Sequence, residues 1–271
     1  MAVGLATFAH GVKADQENQA TPWVEIHAAR VRLVGTRWKA GEAHYLVGLE
    51  VALDDGWKTY WRMPGDSGVP PTFEWTGSTN LEKANVLYPA PVRMKEAGGE
   101  AIGYKGTVLF PIAITPKDTD APVGLKLSLE FGICRDICIP ATQTFTVELL
   151  PGKAGTLAPS LAGALDRVPR RHHGRRMNDP ELKRARVAGS DSAPVLEIEG
   201  LYKNGAKADV FVEAPDGLYV PMAKRAPGSR SDAVRFVSEL SPSLLQDLKG
   251  KTLTLTLVDE GGATETRWTV P

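Results

Sequence analysis

The chain has 271 residues, 42% hydrophobic, 24% charged and 7% aromatic, and its 32 basic residues balance 32 acidic ones. At about 100 to 200 residues per domain, this length suits two ordinary domains, each with enough apolar mass to bury a core. The composition excludes wholesale disorder, no apolar run approaches the roughly 18 residues that span a bilayer, and a net charge of zero gives no pull toward nucleic acid, so no nucleic-acid partner is expected.

Gly (27) and Pro (20) are frequent and no long heptad-like stretch occurs, which predicts an all-β protein of strands joined by many turns. Met1 to Ala14 is apolar, rich in small residues and closes on Val12-Lys13-Ala14, a small-x-small cleavage pattern. Residues 1–20 are therefore read as a signal-peptide remnant with a disordered N-terminus. Strands are predicted at Val24 to Val34, His44 to Leu53, Val108 to Ile114, Leu125 to Ile133 and Thr144 to Leu149. In the fourth of these, Leu125, Leu127, Leu129, Phe131 and Ile133 share one parity and Lys126, Ser128 and Glu130 the other, the pattern of a half-buried antiparallel strand.

These strands define a first domain over 21–152. After Leu150 the run Pro151-Gly152-Lys153-Ala154-Gly155 breaks the pattern, and a linker over 153–190 is expected, with a short helix from Ser160 to Val168. Arg167 to Arg186 is locally basic, with eight Arg and Lys residues against Asp179 and Glu181. A solvated linker is the favoured reading; the alternative is a docking patch for anionic lipid headgroups. Asn178 or Asp179 before Pro180 predicts a second brief helix through Arg186. From 191 to 271 strands resume at Val195 to Ile198, Ala208 to Val212, Val234 to Val237, Thr252 to Val258 and Thr264 to Val270, forming a second β domain. Its one helix is predicted over Pro242 to Leu248, capped by Ser241 and closed by Gly250. The last strand ends without a tail, and the chain is expected to be a fragment of something longer.

The two cysteines sit together in Phe131-Gly132-Ile133-Cys134-Arg135-Asp136-Ile137-Cys138-Ile139-Pro140. Residues four apart in a regular strand are roughly 13 Å apart, whereas a disulfide needs Cα atoms within about 4.4 to 6.8 Å, so a bonded pair requires the chain to fold back in a tight hairpin-like loop. As a structural staple such a small ring is worth only about 2 kcal/mol, against nearly 5 for a 100-residue loop. A local pair suits reversible exchange better, and redox work is the favoured reading. Continued strand parity would turn Cys134 to solvent, as a reactive thiol requires. Arg135 beside the pair favours a thiolate and Asp136 opposes it.

Two cysteines alone make an incomplete metal site; His27, His44, His172 and His173 are read as surface residues, and no metal or cofactor is expected. No Ser/His/Asp elbow, carboxylate pair or phosphate loop supports a hydrolase or kinase. Three of the six tryptophans fall in the turn-rich stretch Gly56 to Trp75, as a core edge or as an apolar wall shielding a disulfide. Lys95 to Gly106 is glycine-rich and reads as a mobile flap in which Tyr104 can cover a thiol.

The run Trp57-Lys58-Thr59-Tyr60-Trp61 with Pro64-Gly65-Asp66-Ser67-Gly68 and Pro70-Pro71, then Gly103-Tyr104-Lys105-Gly106 before Val108-Leu109-Phe110-Pro111, then Cys134-x-x-x-Cys138-x-Pro140, resembles the N-terminal periplasmic domain of DsbD-like protein-disulfide reductases. It is most similar to the ScsB branch, linked to suppression of copper sensitivity. The resemblance covers roughly Trp23 to Leu150; the second half matches by length and β pattern. It implies an immunoglobulin-like sandwich, and for the whole chain two such sandwiches in tandem joined by a partly helical basic linker. It further implies that the pair takes electrons from a membrane-embedded domain of the same full-length protein and passes them to periplasmic thioredoxin-fold proteins. Cys138 would be the nucleophile and Cys134 the resolving thiol. Lys95 to Gly106 would form the cap, with Tyr104, Gly103, Trp61 and Tyr60 shielding the sulfurs. Three residues separate these cysteines where the better-known DsbD pattern has five, and the cap lacks that protein's Asp-Glu-Phe-Tyr run. The expectation is thus a monomeric, cofactor-free periplasmic reductase domain; the alternative is a non-catalytic β binding module or copper-handling protein with a structural disulfide.

Overall fold

From Val123 to Ile133 every second side chain is apolar and buried while Lys126 and Glu130 face water, so this stretch forms a strand with one dry face. The computed structural model describes residues 19–40, 43–96, 99–151, 157–171, 174–230 and 232–271. The signal-peptide reading of Met1 to Ala14 lies outside these residues. Strands β1 (Gln19–Ala20), β2 (Val24–Ile26), β3 (Ala29–Ala40), β4 (Ala43–Leu53), β7 (Leu81–Val86) and β10 (Thr107–Pro116) form one six-stranded sheet. Strands β5 (Lys58–Gly65), β6 (Thr72–Glu74), β8 (Val92–Glu96), β9 (Gly99–Lys105), β11 (Val123–Cys134) and β12 (Cys138–Leu149) form the other. Between them lies one core, where Leu49, Phe110 and Ile112 meet Trp61, Leu127 and Phe131. The result is an immunoglobulin-like sandwich; each fully buried large side chain contributes about 1.5–3 kcal/mol.

β10 is buried on both faces, because helix α1 (Pro159–Asp166) covers its outer side with Leu161 and Ala164 against Leu46 and Leu109. This accounts for its continuous apolar run. The predicted single strand Val24 to Val34 is instead a hairpin, broken at His27, which takes a φ of 54°.

The second half builds another pair of sheets, each four-stranded: β13 (Arg170–Arg171), β16 (Asp209–Glu213), β19 (Thr252–Asp259) and β20 (Gly262–Thr269), facing β14 (Glu181–Ser190), β15 (Ala193–Leu201), β17 (Lys224–Arg225) and β18 (Ala233–Glu239). Ile198, Val212, Phe236 and Leu255 lie in their shared core. Helix α2 (Pro242–Leu248) is capped by Ser241, whose Oγ accepts the Leu244 N–H at 3.1 Å, as its sequence predicts.

The helix expected through Arg186 is not formed. Glu181–Ser190 is a strand paired along β15, because Leu182, Ala185 and Val187 alternate onto the second core once a bulge at Leu182/Arg184 resets the register. Asp179, read as a cap, is buried against Arg170 at 2.8 Å and accepts the Arg176 N–H at 2.7 Å. The basic segment is also matched from within: Arg170, Arg175, Arg176, Lys183 and Arg186 pair with Asp179, Glu181, Asp166, Glu199 and Glu197. Those five cations each have an acidic partner within the fold, with Arg176, Lys183 and Arg186 still about half exposed to solvent.

The two sandwiches touch through β5. The Trp61 ring lies 5.7 Å from that of Phe211, and Arg62 donates to both Glu213 oxygens and to Glu265, each at 2.7 Å.

Candidate functional site

β11 and β12 are joined by Arg135, Asp136 and Ile137, closed by the Arg135 N–H donating to the Ile137 carbonyl at 3.0 Å. Cys134 and Cys138 face each other as the last cross-strand pair, with Cα atoms 4.1 Å apart, and their sulfurs form a disulfide. The other edge of Cys134 pairs with Lys58 on β5, so it is the point where three strands meet.

The sulfurs see different surroundings. Cys138 is exposed, as are the turn residues before it, with Ile137 67% accessible. Cys134 is 1% accessible, packed with Tyr60, Met94 and Ala101. Parity does hold, since Cys134 points away from the main core, but the face it points to is covered at this end. The expected solvent-facing Cys134 is therefore wrong, because Tyr60, Met94 and Ala101 of the neighbouring strands β5, β8 and β9 pack on that face and the loop after β5 lies against the Tyr60 ring. Cys138, across the turn, is the reachable sulfur.

Strand parity also sorts the expected shielding residues. Tyr60 lies over the pair, its hydroxyl 3.4 Å from Cys138 Sγ, and Gly103 is its cross-strand partner. A Cβ at Gly103 would stand 2.1 Å from the Thr59 carbonyl and 3.0 Å from Met94 Cε, so only glycine lets β9 approach Tyr60 this closely. Trp61 and Tyr104 do not shield the sulfurs. Each is one residue out of phase and enters the main core, Trp61 against Phe211 and Tyr104 against Phe110 at 5.3 Å, with the Tyr104 hydroxyl donating to the Pro89 carbonyl. The flap expected over Lys95 to Gly106 is largely strand; Ala97 and Gly98 lie outside the described residues.

The structure adds a polar cluster that the sequence did not mark. Glu96 accepts hydrogen bonds from Lys58 Nζ (2.8 Å), Tyr60 OH (3.2 Å) and Ser67 Oγ (2.6 Å). Burial pushes the Glu96 carboxyl up, but these hydrogen bonds and the Lys58 charge outweigh it and hold it below the usual carboxylate range. Burial, then the charge and hydrogen bond of Glu96, push the Tyr60 phenol up, so Tyr60 keeps its proton at neutral pH. Glu96 stands two residues before Gly98-Gly99 in sequence and carries no mark of a buried charge; only the pairing of β8 with β9 brings it to Lys58. Arg135 is drawn to Asp136 at 3.1 Å and to the Trp57 ring at 5.2 Å, so the two opposing charges beside the pair largely cancel. Among the described residues no group of three or more His, Cys, Asp and Glu could hold a metal ion, and no helix is long and apolar enough to cross a membrane.

An immunoglobulin-like sandwich with a hairpin disulfide at its rim, one sulfur buried and one exposed, is the class of domain this half of the chain defines. Residues 35–150 match the family model described as the N-terminal part of the thiol:disulfide interchange protein DsbD. This part of the chain is thus similar to the N-terminal domain of DsbD-like proteins. Among solved structures, the crystal structure of the N-terminal periplasmic domain of ScsB from Proteus mirabilis is similar over 94% of this chain and 99% of that one, with a TM-score of 0.70 and 22% identity. That likeness places the two-sandwich fold near ScsB. No curated protein sequence matches the chain.

Proposed function

We propose that Cys134 and Cys138 form a thiol-disulfide exchange centre of a periplasmic reductase domain, taking electrons from a membrane-embedded domain of the full-length protein and passing them to thioredoxin-fold partners. The observation that carries this reading is the asymmetry of the pair. In the reduced state the exposed Cys138 thiolate attacks a partner disulfide, forming a Cys138–partner mixed disulfide and releasing one partner thiolate, which takes up a proton. The buried Cys134, already opposite Cys138 in the hairpin, then attacks Cys138 Sγ as a thiolate. The pair closes and the partner leaves as a dithiol, two electrons having passed to it. Tyr60, protonated and 3.4 Å from Cys138 Sγ, donates its one hydroxyl proton to Glu96 in the disulfide form and turns it to the sulfur when the Cys138 thiolate forms, while Lys58 and Ser67 continue to satisfy Glu96. No step needs a bound cofactor.

Titration of the pair against a thioredoxin couple tests the reading. An exchanging pair equilibrates near the thioredoxin range of about −270 mV; a bond that stays closed below about −300 mV is a structural bridge, as the binding-module alternative requires.

A further inference from the structure

The cover over Cys134 is fastened to the second sandwich. Each of its three members has a neighbour anchored there or bound to an anchored group. Tyr60 is pressed by Gly68, where a Cβ would stand 2.5 Å from the Tyr60 ring, and Gly68 belongs to the loop rooted at Asp66. One Asp66 oxygen accepts the Glu100 N–H at 3.0 Å; the other accepts the hydroxyl of Tyr219, between β16 and β17 of the second sandwich. Met94 is preceded by Arg93, which donates to Glu100 at 2.6 Å, to Asp209 at 2.7 and 2.9 Å, and to the Ala223 carbonyl at 2.9 Å. Ala101 follows Glu100, the residue both Asp66 and Arg93 grip. Tyr219 belongs to neither core and is 42% accessible, so its place is not explained by apolar burial.

We propose that Tyr219 and Asp66 are positioning residues that latch the cover over Cys134, so that the second sandwich enforces which of the two sulfurs is open to attack. Selectivity between the sulfurs, rather than access to the already exposed Cys138, is what the latch controls. Its value to exchange rests on the reading above, in which only Cys138 should meet partners.

The test is limited alkylation of the reduced two-sandwich protein by iodoacetamide, with modification of each cysteine read by mass spectrometry. Cys138 labelling serves as the internal reference. Tyr219→Phe removes the hydrogen bond to a charged group and keeps the ring; it should raise the Cys134-to-Cys138 labelling ratio about fivefold, as expected for losing one part-exposed charged hydrogen bond. Asp179→Ala, which loosens the second sandwich away from the latch, should leave the ratio at the wild-type value. An unchanged ratio in Tyr219→Phe, or an equal rise in Asp179→Ala, overturns the proposal. Alkylation requires no partner, so a pair that refuses exchange with thioredoxin defeats the functional reading without deciding the latch.

Discussion

Glu96→Gln keeps the shape of the side chain and removes one charge from the site. Lys58, Tyr60 and Ser67 all donate to this carboxylate, and the Lys58 and Glu96 side chains are 11% and 14% accessible. The variant leaves the Lys58 ammonium nearly buried and without its counter-ion. Breaking a fully buried pair in this way costs about 3–5 kcal/mol and an exposed one about 0–1, so a pair still touched by water falls near 2 kcal/mol. At roughly 2–4 °C per kcal/mol for chains of 150–250 residues, the melting temperature should drop by about 4–8 °C. The pH dependence has a definite sign. The folded carboxyl titrates below its ordinary value of 4.5, so its contribution is fully present above that pH and is lost as pH falls through the lower folded value. Urea unfolding of the oxidised protein should therefore show the full gap between wild type and variant at pH 7 and a shrinking gap below pH 4.5. A gap under about 0.5 kcal/mol at pH 7, or one undiminished in acid, would refute the reasoning.

Gly103→Ala places a Cβ 2.1 Å from the Thr59 carbonyl and should prise β9 from β5, lowering stability by roughly 2–4 kcal/mol in the same unfolding assay. Asp179→Ala leaves Arg170, 15% accessible, without its carboxylate and should cost about 3 kcal/mol, read as a fall in the unfolding midpoint. Tyr60→Phe removes the hydroxyl beside Cys138 and should slow exchange with a thioredoxin-fold protein roughly threefold to tenfold, at a stability cost of about 1 kcal/mol for the lost hydrogen bond to Glu96; stopped-flow fluorescence would show an unaltered rate if Tyr60 merely fills space.

Much of this architecture could be read from residue patterns. The alternation from Leu125 to Ile133, the Ser241-Pro242 cap and the need for the chain to turn between Cys134 and Cys138 are all local signals, and local signals fix strands, caps and turns. The misreadings share a cause. Cys134 has the parity of a solvent-facing residue, but what covers it comes from β5, β8 and β9, far away in sequence. Tyr104 passed for a shield because a glycine-rich stretch reads as a loop, where a side chain is free to face either way; in a strand the parity of Ile102 commits it to the core. Asn178-Asp179-Pro180 carries a real capping signal, yet Asp179 is taken by Arg170, and the alternation of Ala185 and Val187 decides for a strand. Glu96 and Lys58 had no signal at all, since charges that meet only through sheet pairing look like any others on the surface.

The most direct measurement uses single-cysteine variants incubated with a thioredoxin-fold protein whose own disulfide is oxidised, with covalent adducts resolved by non-reducing electrophoresis. Cys134→Ala should accumulate a mixed disulfide through Cys138, and Cys138→Ala should form none. Equal adducts from both variants, or none from either, would contradict the account of an exposed attacking sulfur backed by a buried resolving one.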